Sequence, residues 1–277
     1  MSFKAGLLFV TLLIGSYAFP AKEQDMSIFF DHTDAQARIV GGTVAGNVAY
    51  MVSLSSGVIV RSLVCGGSVI TNRHVMTAAH CIQAVFSGGS LINSLRGTVG
   101  TSRWNSGGTQ YSFARNFTHP NYVHSNIKND IGILVTSSNI VFSNTVQPVV
   151  LNYDFVGAGV ATSVTGWGRI VTGGALSQNL LQLSATVIDG NRCVTEVRNR
   201  AAQLNIRAPA VEPHIEICTF HSTGRGTCNG DSGSPLMRVD RKQQIGVVSW
   251  GLPCARGAPD MFVRVSAYRT WIQQHTR

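Results

Sequence analysis

Near its C-terminal end the chain reads TCNGDSGSPL (227–236), which sets Asp231 and Ser232 between Gly230 and Gly233. A serine hydroxyl is a weak nucleophile near neutral pH. It needs a base to take its proton, and a carboxylate to fix that base's tautomer and stabilise its protonated form. The chain offers a candidate for each role. His80 lies in MTAAHCI, among small and apolar residues beside Cys81. Asp130 lies in KNDIGILV, at the mouth of an apolar run, and is the only acidic residue between Asp34 and Asp154. A carboxylate leading into such a run is costly to bury unless it is paired. Taken singly, a histidine is more often structural and an aspartate at a strand start more often a turn residue. The serine motif is more specific. Gly230 lets its backbone N–H face a substrate oxygen, and the Ser232 N–H can join it as the second donor of an oxyanion hole.

The elements that must position these residues read as strands. Short β-rich runs recur, among them YMVSLSSGVIV, GGSVIT, IGILVT, ATSVTGWG, LLQLSATVI, QQIGVVSW and MFVRVS, separated by Gly, Asn, Pro and Ser clusters. That spacing predicts a sandwich or barrel. At the end of the chain SAYRTWIQQH carries Tyr268, Trp271 and Ile272 at helical spacing, with Ser266 as its expected N-cap. Hydrophobic residues make up 44% of the 277 and charged ones 13%, which excludes a disordered chain, and 29 glycines favour an all-β protein over a helical one. No repeat and no linker divides 39–277, which reads as one folded unit of two barrels.

The start of the chain, MSFKAGLLFVTLLIGSYAFPA, has the layout of a secretory signal: Lys4, an apolar run from Ala5 to Ile14, and small residues at the cleavage positions. The run is too short to span a bilayer, which takes roughly 20 residues. Residues 1–18 are therefore expected to be a signal peptide. Residues 19–38 are polar, hold four of the 13 acidic residues, and end at Arg38 before IVGG. They read as a pro-segment, cut after Arg38 to free the Ile39 amino group. Six cysteines in an exported chain suggest three disulfides whose pairing the spacing leaves open, and the lack of any Cys-x-x-Cys pair argues against zinc.

The motifs RIVGG, TAAHC, NDIGIL, GDSGSP and SWG occur in this order, and from Ile39 to the C-terminus the chain resembles a secreted serine peptidase of the chymotrypsin family, with insect digestive chymotrypsin- and collagenase-like members as the nearest type. The resemblance implies an all-β fold of two antiparallel six-stranded β-barrels, with the active site in the cleft between them and a C-terminal helix. It implies His80 as general base, Asp130 as its orienter, Ser232 as nucleophile, and Gly230 and Ser232 as oxyanion donors. It implies disulfides Cys65–Cys81, Cys193–Cys218 and Cys228–Cys254. Asp231 is expected to turn away from the nucleophile and pair with the Ile39 ammonium once Arg38–Ile39 is cut, which makes that cut a switch. Residues 194–217 form a longer loop than the family usually has. Ser234 stands where the commoner motif has a second glycine, a variant found in active members.

The pocket positions implied are Gly226, Thr227, Ser249, Gly251 and Asp260. Trypsin-like relatives carry an aspartate at the floor, where this chain has Gly226. The charge lies instead on the wall at Asp260, and Gly251 leaves the entrance open to large side chains. Large apolar P1 residues with some tolerance for Arg and Lys are the expected specificity. No acidic residue separates His80 from Asp130, so no calcium site is expected, and no other metal or cofactor. Expected partners are protein or peptide substrates, the protease that cuts after Arg38, and protein inhibitors of peptidases. No nucleic acid and no membrane span are expected, and the chain is read as a monomer. A digestive role competes with that of a processing protease acting on another zymogen. A cationic binding protein on a dead protease fold is a third reading, prompted by the net charge of +9. Of the four lysines only Lys128 and Lys242 fall in 39–277, where 17 arginines carry the positive charge. Arginine stays charged beyond the pH at which lysine titrates, so an alkaline insect gut lumen is the expected setting.

Overall fold

The computed structural model describes Phe29 and residues 42–169, 175–228, 230–252 and 255–277. The rest of the predicted signal and pro-segment, the Arg38–Ile39 bond and Cys254 lie outside the described residues. Two sheets carry the fold. The first runs in the order Thr109–Tyr111, Arg96–Val99, Met51–Ser56, Ser62–Val69, His74–Thr77, Gly132–Thr136, Phe113–Thr118. Its two edge segments are parted in sequence by Ser112 alone, so the sheet curls round until one interrupted strand supplies both edges. Seven segments are thus six strands of a half-closed barrel. The second sheet closes fully. Leu181–Val187, Ala161–Gly166, Pro235–Arg238, Gln243–Gly251, Asp260–Arg264 and Glu216–Phe220 pair in that order, and Glu216–Phe220 pairs back onto Leu181–Val187. The all-β, two-barrel architecture read from the sequence is the one found.

Local pattern explains the strands. LQLSATV at 181–187 alternates buried and exposed, as a strand with one wet face must. GILVT at 132–136 is buried throughout and is paired on both sides, by His74–Thr77 and Phe113–Thr118. Each barrel has its own apolar core: Val52, Ile133, Leu134 and neighbours in the first, Val164, Leu183, Phe262 and neighbours in the second. The C-terminal helix Arg269–His275 ties the two together. It leaves the second barrel but buries Trp271 and Ile272 in the core of the first, with Tyr268 just before it. Ser266 does not cap it. The chain is already turning as a 3-10 helix over Val265–Tyr268, so Ser266 sits within a turn instead of ahead of one, and no side chain caps either piece.

The longer segment after Cys193 is partly helical. Helix Gly190–Gln203 starts where the Asp189 carboxylate accepts the N–H groups of Asn191 and Arg192 (2.9 and 3.0 Å), and buries Cys193, Val197 and Ala201. The Cys193–Cys218 disulfide holds it to strand Glu216–Phe220. Cys65–Cys81 joins strand Ser62–Val69 to helix Ala79–Gln83. Cys228 is also disulfide-bonded. Among the described residues no helix is long and apolar enough to cross a membrane.

Candidate active site

Strand register brings His80 and Asp130 together. Gly132 pairs with Thr77, so the residues just beyond these paired ends meet at the rim of the first sheet. The Asp130 carboxylate, 1% exposed, accepts the His80 backbone N–H (2.8 Å) and faces the ring nitrogen Nδ1 (2.8 Å). A carboxylate there makes Nδ1 the protonated nitrogen and Nε2 the one whose lone pair can take a proton. A third bond to Asp130 comes from the Ser249 hydroxyl at 2.6 Å. Ser249 is the unmatched residue where the register of strand Gln243–Gly251 slips between Val248 and Trp250. The bulge turns a residue assigned to the pocket towards the carboxylate.

The approach to Asp130 is strained. Ile127 and Asn129 hold positive φ values of 53° and 55°, and a β-branched residue adopts this conformation only when its surroundings impose it. Here they do. The Asn129 side chain donates to the Asn121 carbonyl and accepts from the Tyr268 hydroxyl (2.8 and 3.0 Å), while Lys128 forms a buried ion pair with Glu216 at 2.8 Å.

Ser232 lies on a turn clamped to the strands that lead into His80. Its carbonyl accepts the Gly66 N–H at 2.8 Å, and the next N–H, of Gly233, donates to Val248. Gly233 has φ +79° and packs so closely on Thr77 and Gly66 that a side chain would collide with both. The turn also lies against Ala78, the residue just ahead of helix Ala79–Gln83, at Gly233. Gly230, the other predicted oxyanion donor, also has a positive φ, of 92°.

Asp231 is fully buried. Its carboxylate accepts the N–H groups of Gly168 (2.8 Å) and Cys228 (3.1 Å). Burial pushes its pKa up to about 7, the two backbone bonds oppose the rise, and Asp260 adds to it. The Asp260 carboxylate lies against Gly226 and accepts from the Thr227 N–H (3.1 Å) and hydroxyl (2.9 Å). Burial raises it too to about 7, against the pull of those bonds. The residue as a whole is half-buried because its backbone lies at the strand edge, opposite Gly251. A side chain at Gly251 would meet nothing within 4 Å, so the entrance is open. Of the five predicted pocket residues Gly226, Thr227, Gly251 and Asp260 thus come together, while Ser249 bonds Asp130.

The sulfurs of Cys65 and Cys81 lie near the His80 ring, with Cys81 Sγ 3.6 Å from Nε2. They are bonded to each other, so this group offers no thiolate to a metal.

Comparison with known proteins decides the family. The family described as Trypsin matches residues 39–272. The chain belongs to the trypsin family. Trypsin alpha-4 of Lucilia cuprina is 34% identical over 238 residues, 85% of this chain and 86% of the relative. Chymotrypsin-2 of Vespa crabro is 35% identical over 240 residues, 86% of this chain and 99% of the relative. Serine protease SP24D of Anopheles gambiae is 34% identical over 246 residues. This trypsin-family chain is a serine-type endopeptidase.

The sequence reading missed three features of the site: the Ser249 bond, the backbone cradle of Asp231, and the buried Lys128–Glu216 pair. The SWG motif marked the strand that holds Ser249 but not the bulge. Nothing marked Lys128, since a lysine in a polar stretch reads as surface.

Proposed function

We propose that this chain is made as a secreted precursor with signal peptide 1–18 and pro-segment 19–38, and that domain 39–277 cleaves peptide bonds through His80, Asp130 and Ser232. His80 takes the Ser232 proton as the hydroxyl attacks the scissile carbonyl, and returns it to the leaving amine. Water then releases the acyl group from Ser232. The N–H groups of Gly230 and Ser232 receive the oxyanion. The observation that carries this reading is the doubly bonded His80–Asp130 pair, backed by Ser249 and set beside the clamped Ser232 turn. Titration with a sulfonyl fluoride tests it, together with Ser232→Ala and His80→Ala. Each variant is expected to lose more than about 10⁴-fold in turnover, the loss general to triads of this family. Near-normal turnover in either would sink the mechanism, and an inert wild type would revive the binding-protein reading.

Cleavage after Arg38 frees the Ile39 ammonium to pair with Asp231. Arg38→Gln should leave a silent precursor, and full activity in that variant would disprove the switch. The pocket takes large P1 side chains, and Asp260 adds a basic component. The arginine-borne charge supports digestion in an alkaline gut lumen. There the Ile39 ammonium sets the upper limit: pairing with Asp231 raises its pKa, so activity persists until pH passes that value. A sharp fall already at pH 8 would remove the alkaline setting and leave the peptidase assignment standing.

A further inference from the structure

One aromatic residue ahead of the predicted cut is buried in the domain. Phe29 is 2% exposed and meets the Trp250 indole edge-on, with ring centroids 5.9 Å apart at 83°. It belongs to the apolar cluster that holds Ile127, Trp250, Leu252 and Met261. The indole it rests on is fixed. Trp250 Nε1 donates to Glu216 at 2.8 Å, and the Lys128 ammonium, paired with the same carboxylate, lies 5.5 Å from the ring centroid. The segment after helix Gly190–Gln203 packs its Leu204, Ile206 and Val211 against the cluster. This slot adjoins the catalytic residues on two sides. Trp250 follows Ser249, which holds Asp130, and the strained Ile127 precedes Asp130 by three residues.

We propose that the slot is a docking site for the chain's own pro-segment, anchored by Phe29, and that the docked segment blocks the cleft both before the cut and, until it dissociates, after it. The proposal rests on the activation reading above. Three observations support this occupant. The seated residue is Phe29 itself. The segment 19–38 carries four acidic residues against Lys22 and Arg38, whereas 39–277 carries nine against 19 basic, so the charges are complementary. No cysteine precedes Cys65, so once Arg38 is cut only non-covalent contact retains the segment. The nine bonds from Phe29 to Arg38 span at most about 30 Å. That is enough for an activating peptidase to reach the cut while the ring stays seated. Burial of a phenyl ring supports roughly one to two orders of magnitude in affinity.

The test uses the full chain, cut at Arg38 by an immobilised Arg-specific peptidase, beside a Phe29→Asp chain treated alike. Wild-type activity should lag behind the cut and rise on dilution, whereas the Phe29→Asp chain should be active as soon as it is cut. A synthetic 19–38 segment should then inhibit competitively, and its Phe29→Asp version at least ten-fold more weakly. Activity that tracks the cut in both chains, inhibition that is not competitive, or equal inhibition by the two segments would overturn the proposal. If neither chain gains activity on cutting, the activation reading has failed instead. Fluorescence anisotropy of the labelled segment on the cut Phe29→Asp chain then reads the slot: saturable binding weakened by Phe29→Asp supports docking, and its absence refutes it.

Discussion

Asp130 and Asp231 are both buried carboxylates at the same active site, and they are solvated in opposite ways. Asp130 is held by three donors, two from His80 on helix Ala79–Gln83 and one from Ser249 on strand Gln243–Gly251. Asp231 is held by two backbone N–H groups, and among the described residues no cation pairs with it. Gly168 is a glycine because the Asp231 carboxylate occupies the space its side chain would need. Asp130 is thus finished before any cut. Among the described residues Asp231 sits in a cradle without a counter-charge, and burial there lifts its pKa to about 7. In the proposed mechanism the difference separates a group that works in the reaction from one that responds to the Arg38 cut.

The sharpest way to break the comparison is to remove charge from each. Asp130→Asn keeps the shape but loses the acceptor that sets the His80 tautomer. Turnover of the cut enzyme should fall by about 10⁴-fold, as in triads of this family generally. Ser249→Ala removes one charge-assisted bond and should cost roughly 10- to 100-fold. Asp231→Asn should act on activation alone. The Arg38 cut proceeds, but activity rises far less than in the wild type, roughly 10²-fold less if the pairing is worth what buried pairs lose when one partner is removed. Equal activation of Asp231→Asn and wild type, measured by burst titration after quantitative cutting, would show that Asp231 is not the switch.

Stability against pH tests the same contrast in the uncut chain. Asp231 and Asp260 both have folded pKa values near 7, above the ordinary carboxylate value of 3.8. Below about pH 4 both are protonated folded or unfolded and cost nothing. As pH rises from about 4 to 7, the unfolded chain gives up these protons while the folded chain keeps them, so stability falls across that window and levels off above it. Each group contributes up to about 4 kcal/mol to the fall. Asp231→Asn should flatten part of the slope, as read from denaturant midpoints at pH 4.5 and 8. An unchanged slope would mean that Asp231 is ionised throughout.

How far the site was legible in the sequence follows the same division. His80, Asp130 and Ser232 stand in short motifs whose chemistry is local, and the strands around them alternate as LQLSATV does, so both showed through. Features made by distant partners did not. Lys128 and Glu216 are 88 residues apart and meet only where the loop before strand Gly132–Thr136 of the first sheet reaches strand Glu216–Phe220 of the second. Ser249 acquires its role from a bulge, which a slip of register makes and composition does not mark. Helix Gly190–Gln203 read as loop because its buried stripe, Cys193, Val197 and Ala201, is one residue wide in a polar stretch and is held down by a disulfide. Ser266 had the right chemistry for a cap, but the helical turn had already begun at Val265.

The smallest effect, and the finest test of how the two inward carboxylates differ in use, belongs to Asp260. Its carboxylate lies against Gly226, within reach of a basic P1 side chain in the proposed pocket. Thr227 already occupies part of its capacity with an N–H and a hydroxyl, so the attraction left for a substrate is modest. Its charge turns on near pH 7. Below that it is a neutral acid, and an arginine or lysine entering the pocket meets no counter-ion. Above it the carboxylate is ionised and the basic side chain is drawn in. The ratio of kcat/KM for an Arg P1 substrate to that for a Phe P1 substrate isolates this titration, because every pH effect common to both substrates cancels. Between pH 5.5 and 9 the ratio should rise by roughly ten-fold with a midpoint near 7, about what one partly screened ion pair supplies. Asp260→Gly should hold the ratio low and flat and leave the Phe substrate unchanged. A ratio that is flat in the wild type would mean that Thr227 has claimed the carboxylate entirely, leaving Asp260 a buried structural group like the rest of its strand.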